Sequence, residues 1–192
     1  MGLDMYLERC DRRAYGFKDM DIDEIRVSNP ALYEVVKPYI HKRGNERYSW
    51  ESLFEEVGYW RKANAIHKWF VENVQDDVDD CGRYEVSKEQ LETLLSTCEQ
   101  VLASCKLVKG KVKNGYTFDE NGNKIPIFED GEYIADPTIA EELLPTQSGF
   151  FFGGTDYDEW YLEGIKYTID LLKDVLATTD FDKEMVVYTS SW

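Results

Sequence analysis

Along residues 3–9, LDMYLER, the apolar Leu3, Met5 and Leu7 alternate with Asp4, Tyr6 and Glu8. A period of two is that of a half-buried strand. Residues 11–30 are polar and end on the turn signal Asn29–Pro30. A short helix is expected over 31–39. From Leu53 or Gly58 to Gln75 the apolar spacing reads as helical. It does so again over 87–105, where Leu91, Leu94, Leu95, Cys98, Val101, Leu102 and Cys105 keep one face. Ser87 and Gln90 supply the S-x-x-Q capping box of that helix. Residues 107–134 change rhythm. Asn114–Gly115, Asn121–Gly122 and Asp130–Gly131 punctuate β-rich runs, predicting one or two hairpins that stand off the helical body. Pro126 predicts an edge or non-strand position. Asp136–Pro137 opens a short helix over 137–144. GFFFGG, 149–154, reads as a short buried strand or a tight loop. The last helix is expected from Asp156, with Glu159 completing a second capping box, through Trp160, Ile165, Ile169, Leu172 and Leu176. The tail KEMVVYTSSW reads as a strand able to pair with the first.

These elements predict a single α+β domain over 1–192. About three main helices pack with a small sheet made from the N- and C-terminal strands, and a β-hairpin excursion occupies about 107–134. A chain of 192 residues buries roughly two-thirds of its unfolded surface and needs no disulfide framework. Cys10, Cys81, Cys98 and Cys105 form no C-x-x-C pair, and with no secretory segment they read as free core thiols in a reducing compartment. No apolar run approaches the roughly twenty residues of a membrane span. The opening Met-Gly-Leu-Asp-Met-Tyr lacks the Ser or Thr of a myristoylation signal. A cytoplasmic protein is expected.

The net charge of −16 argues against direct binding of nucleic acid, whose phosphates need neutralising. Solubility, a basic protein partner, or imitation of DNA remain compatible with it, as does a local basic pocket for a small ligand. The most basic stretch, HKRGNERYS at 41–49, is expected to be a loop.

The candidate chemistry gathers in YWRKANAIHKWF, 59–70. On a helical wheel Tyr59, Ala63, Ile66, Phe70 and Val74 form an apolar stripe. Trp60, Asn64, His67 and Val71 line one edge of it, with Arg61 and Lys68 further round and Trp69 apart, near Lys62. A border of this kind suits a helix lining a cleft. Trp60 offers a stacking face, Asn64 a donor and an acceptor, and Arg61 a partner for an anion. The competing reading is that Asn64 and His67 bond to neighbouring backbone while Trp60 packs. In GGTDYDEWY, 153–161, Asp156, Asp158 and Glu159 would repel phosphate from the helix start, which excludes a Walker-type loop. Tyr157, Asp158, Glu159 and Trp160 could instead give a ligand acceptors and a stacking face, or simply cap a helix. His41 and His67 are the only histidines, and no metal-ligand spacing exists. DENGN, 119–123, reads as a hairpin turn and not a calcium loop. No residue is assigned as catalytic, although His67 with Asp158 or Glu159 could do acid–base work if the fold joined them.

The blocks MGLDMYL, YWRKANAIHKWFVENVQ, LLPTQSGFFFGGTDYDEWY and SSW resemble those of a group of small uncharacterised proteins of bacteria and of phages or prophages. The resemblance covers nearly the whole chain and implies an accessory role, such as interfering with or sequestering a host factor or a signalling nucleotide. The leading expectation is a non-catalytic binding protein. A nucleotide-like or anionic molecule would be held by Trp60, Arg61, Asn64, His67, Tyr157, Asp158, Glu159 and Trp160, with no metal and no cofactor named. An acidic protein-interaction module, acting as a host-factor inhibitor or DNA mimic, is the alternative. A hydrolase using His67 is the third.

Overall fold

The computed structural model describes residues 2–16, 21–39, 41–43, 47–49 and 54–192, with 39, 41–43 and 47–49 described through their backbone alone. The alternating N-terminal segment forms strand β1, Asp4–Asp11. Behind it, helices α1 (Arg12–Tyr15), α2 (Ile22–Ser28) and α3 (Pro30–Val36) fill a stretch whose first part read only as polar. Asp11, Asp21 and Asn29 cap them through their side chains. The helix expected at 31–39 is thus α3 followed by a short 3-10 turn, Lys37–Tyr39. Strands β2 (His41–Arg43) and β3 (Arg47–Ser49) pair antiparallel, where a loop was expected.

The reading of 58–75 as one helix is corrected. Glu55–Arg61 is strand β4, and helix α4 begins only at Asn64 and ends at Val74. Within β4, Gly58 and Trp60 are buried while Val57 and Tyr59 are half-buried, the period of a strand. Lys62, at a φ of 58°, adopts a left-handed conformation that no helix interior accommodates. The other possible start, Leu53, lies outside the described residues.

Strand β5 (Tyr84–Val86) leads into α5 (Lys88–Ser104), where Ser87 and Gln90 form the expected capping box. Helix α6 (Thr138–Leu143) is short, and α7 (Glu159–Thr178) is the longest helix described. The cap of α7 is Asp158, whose carboxylate accepts from the Tyr161 N–H, so the expected start at Asp156 with a Glu159 capping box is also corrected. Strand β8, Glu184–Ser191, ends the fold.

The sheet order is β4-β1-β8-β5, with antiparallel neighbours. The N- and C-terminal strands do pair, and they are its centre. Two edge strands that the sequence reading lacked flank them. Met185, Val186, Val187 and Tyr188 are consecutive buried residues on β8, as expected of a strand covered on both faces. One face packs on α4, α5 and α7, where Leu91, Leu94, Cys98, Leu162, Ile165 and Leu172 meet Leu3, Met5, Trp60 and Phe70. The other carries Cys10, Met185 and Val187, with Tyr15 and Phe54 against them. At Gly58 a Cβ would lie 2.8 Å from the Leu171 Cδ1, which is why β4 can approach α7 so closely.

Residues 107–134 form one long antiparallel ribbon and not two hairpins: β6, Leu107–Phe118, against β7, Lys124–Ile134. Asn114–Gly115 marks a register shift between Lys113 and Tyr116 and not a turn. The only reversal is at 119–123, where the Asp119 carboxylate accepts the N–H groups of Asn121 and Asn123 at 2.9 and 2.7 Å. This confirms DENGN as a turn. Pro126 stands inside β7, opposite Tyr116.

Candidate functional site

The two sequence blocks that nominated a site touch where Asn64 and Lys62 meet Gly154 and Gly153, but their candidate side chains have different surroundings. Trp60 is 3% exposed. Its indole N–H donates to the Thr168 Oγ1 at 2.9 Å, and its ring meets Phe70 edge-on. Trp69, expected apart from the stripe, is buried in the same cluster. Asn64, at the start of α4, is equally enclosed. Its amide donates to the carbonyl oxygens of Phe152 (3.1 Å) and Gly154 (2.7 Å), and its Oδ1 accepts from the Gln147 N–H at 3.0 Å. A single side chain therefore ties down the 147–154 loop, which resolves GFFFGG as a tight loop. Gly153 has a φ of 92°, a conformation that glycine adopts without strain, and a Cβ added there would lie 3.1 Å from the Lys62 Cβ.

His67 is fully buried. Its Nδ1 lies 2.7 Å from the Tyr188 hydroxyl and its Nε2 3.0 Å from the Asp79 Oδ2. Burial pushes ionisation of the Tyr188 hydroxyl well above its ordinary range, so that hydroxyl keeps its proton. The other oxygen of Asp79 accepts the Trp192 indole N–H at 3.1 Å, and Trp192 meets Phe152 edge-on. His67 does have an acidic partner, but it is Asp79 and neither Asp158 nor Glu159. Both imidazole nitrogens are engaged inside the protein, and neither has a face for a substrate.

The side chains of the second block serve mainly the start of α7 and the 146–155 loop. Asp158 caps α7, Tyr157 is half-buried with its hydroxyl accepting from the Thr146 N–H at 3.2 Å, and Glu159 begins the helix half-buried. Trp160 is 71% exposed. Thr168, the partner of Trp60, is roughly 12 Å further along α7 than Trp160, so the two indoles do not face a common ligand. Arg61 is exposed at the end of the edge strand β4. The eight residues are thus distributed over a core network (Trp60, Asn64, His67), a helix cap (Tyr157, Asp158, Glu159) and two separate surface positions (Arg61, Trp160). Among the described residues no group of His, Cys, Asp and Glu could hold a metal ion, and no helix is long and apolar enough to cross a membrane.

The prominent unexplained surface is the β6–β7 ribbon. Its foot is fixed: the Ile134 N–H donates to the Tyr157 carbonyl at 2.9 Å, Tyr133 bridges Asp158, and Lys113 pairs with Asp156 at 3.0 Å. Beyond Lys113, the hydrogen bonds and ion pairs found among the described residues stay within the ribbon, as in Asn114 to Glu129 and the Asp119 turn. That distal half carries Tyr116 (51% exposed), Phe118 (64%), Ile125 (44%), Ile127 (41%) and Phe128 (57%). The register puts Tyr116, Phe118 and Phe128 on one face and Ile125 and Ile127 on the other. Lys113 and Lys124 lie over the Tyr116 ring, 5.3 and 5.4 Å from its centre. Sequence reasoning found the ribbon and passed over its exposed apolar side chains. The missed signal was apolar residues at both parities of a segment flanked by turn residues, a pattern with two apolar faces and no core to bury either.

No protein-family model, curated protein or solved structure matches the chain. The resemblance to small phage and prophage proteins therefore rests on the sequence blocks alone, and function has to be argued from the geometry.

Proposed function

We propose that this protein is a non-catalytic protein-interaction module whose β6–β7 arm seats in a cleft of a basic partner protein. One observation carries the reading: five large apolar side chains on the distal arm lie open to water on both of its faces. A two-stranded ribbon is marginal by itself, and exposed apolar patches mark interaction sites. Half-exposed aromatics of this size still hold roughly 100 Å² each, so enclosing one in a partner is worth about 2–3 kcal/mol. Apolar residues on both faces suit a cleft that closes round the ribbon better than a flat surface.

Charge supports the choice of partner. The arm's Lys109, Lys111, Lys113 and Lys124 nearly balance Asp119, Glu120, Glu129, Asp130 and Glu132, so almost the whole charge of −16 belongs to the rest of the chain. A near-neutral apolar anchor on an acidic body steers towards a basic surface and then holds by desolvation. The phage or prophage accessory role expected from the resemblance, sequestering a host factor, fits this design. Free thiols at Cys10, Cys81, Cys98 and Cys105, with Cys81 exposed, suit the reducing cytoplasm of a bacterial host. A nucleotide-like ligand is less well served, since Arg61 and Trp160 are its two openly exposed candidates and sit on separate elements.

Photo-cross-linking residues placed at 118 and 128, with a control at 163 on α7, test the reading in a host extract. A basic protein cross-linked from 118 and 128 but not 163 is expected. Its association should slow with added salt, and its binding should fall at least tenfold on Phe118→Asp, with unchanged thermal stability. A partner retained in full by the Phe118→Asp, Phe128→Asp variant would overturn it, as would stabilisation of the wild type by a nucleotide that is lost in Arg61→Ala.

A further inference from the structure

We infer that Asn121–Gly122, at the tip of the arm, is a self-modifying site that converts to aspartate and isoaspartate in the folded protein. The reaction needs no partner and no enzyme. The Gly122 nitrogen attacks the Asn121 Cγ, a C–N bond forms, the Cγ–Nδ2 bond breaks and ammonia leaves. Water then opens the five-membered imide, giving aspartate when it attacks the side-chain carbonyl and isoaspartate when it attacks the main-chain carbonyl, because the Gly122 nitrogen then stays on Cγ. The nucleophile is a deprotonated backbone amide, so the rate rises with pH.

Position selects this residue. Only Asn114 and Asn121 precede glycine, which leaves the attacking nitrogen unhindered. Asn29 precedes Pro30, which has no N–H to lose, while Asn45, Asn64, Asn73 and Asn123 precede Glu46, Ala65, Val74 and Lys124. Asn64 is besides buried and triply bonded. The two Asn–Gly pairs differ in how the carboxamide is held. The Asn114 Nδ2 donates to the Glu129 Oε2 at 2.7 Å, which fixes the group away from free rotation. The Asn121 side chain is exposed and makes no hydrogen bond among the described residues. One restraint remains at the tip: the Gly122 N–H donates to the Asp119 carbonyl at 3.0 Å, a bond that has to open before attack. Conversion in the folded chain is therefore slower than in the unfolded chain, yet faster at Asn121 than at Asn114.

The product matters to the arm. Isoaspartate adds a methylene to the backbone of a turn whose geometry is set by Asp119 accepting from Asn121, Asn123 and the Asn123 side chain. Phe118 and Lys124 are paired directly across that turn, so the tip loses its register and gains a charge. The full chain would be incubated at 37 °C at neutral and mildly alkaline pH, then digested and mapped by mass spectrometry that separates aspartate from isoaspartate. Asn121 is expected to convert severalfold ahead of Asn114 when folded, with the two rates converging in urea. Glu129→Ala should release Asn114 and narrow the gap. Equal or faster conversion of Asn114 in the folded wild type, or no conversion of Asn121, would overturn the inference. Neither outcome bears on partner capture by freshly prepared protein.

Discussion

Replacing Asn64 by alanine removes one side chain and leaves three backbone groups without their partner: the Phe152 and Gly154 carbonyls and the Gln147 N–H. The bond to Phe152 is buried, while the other two are partly buried. An orphaned buried polar group costs about 1–3 kcal/mol, and less where water can reach it. Taking one full and two discounted losses, Asn64→Ala should destabilise by about 2–4 kcal/mol. For a domain of this size that is a fall in Tm of about 5–15 °C. Asn64→Asp keeps the acceptor for Gln147 but points a carboxylate at two carbonyl oxygens, so it should cost at least as much as alanine. Urea denaturation gives the stability change, and amide exchange should show the protection lost in 147–154 before the strands. A ΔΔG within 0.5 kcal/mol, the range of an ordinary surface substitution, would refute the assignment of Asn64 as the tie of this loop. It would also restore Asn64 as a group free to meet a ligand.

Tyr188→Phe should cost about 1–3 kcal/mol, because the His67 Nδ1 is then buried without its hydroxyl partner. A double-mutant cycle with His67→Phe, read by chemical denaturation, should show coupling of at least about 0.5 kcal/mol, and additive losses would deny the pair. Cysteine labelling should be selective. Burial, with Asp11 and Glu8 adding to it, pushes the Cys10 thiol up to about 12, and burial does the same for Cys98. Cys81 is exposed. At neutral pH a thiol reagent should therefore modify Cys81 rapidly and the buried thiols only on unfolding, since the thiolate is the nucleophile. Rapid loss of Cys10 or Cys98 from the native protein would contradict the packing around them.

Where one rule applied over a whole segment, the sequence was legible. Alternation identified β1, and the tail KEMVVYTSSW read as the strand that pairs with it. The helical face of 87–105 with its capping box placed α5, and the turn residues marked the ribbon. Failures came where two elements shared one apolar pattern. From 57 to 70, Val57, Tyr59, Trp60, Ile66 and Phe70 can be laid on a helical wheel, yet the chain turns at Lys62 from strand to helix. Lysine carries no local signal for a positive φ, so tertiary packing of Trp60 on Thr168 and Gly58 on Leu171 decides what propensity cannot. Strand β5 has three residues, too few for any period to register. The edge strands of the sheet were invisible for these reasons, although its central pair was not.

The polar border of the YWRKANAIHKWF block has the same origin as its ambiguity. Asparagine and histidine beside an apolar stripe need partners, and sequence cannot say whether those partners are a ligand or another part of the chain. Here the chain supplies them: the 147–154 loop satisfies Asn64, and Asp79 with Tyr188 satisfies His67. Polar residues drawn into the interior in this way report on loop placement and leave no chemistry for a visitor. The opposite logic holds for the arm. Large apolar side chains left open to water among the described residues are what the proposed partner would bury. The proposed function rests on apolar groups, so converging polar chemistry in the sequence leads to the core and not to Tyr116, Phe118 and Phe128.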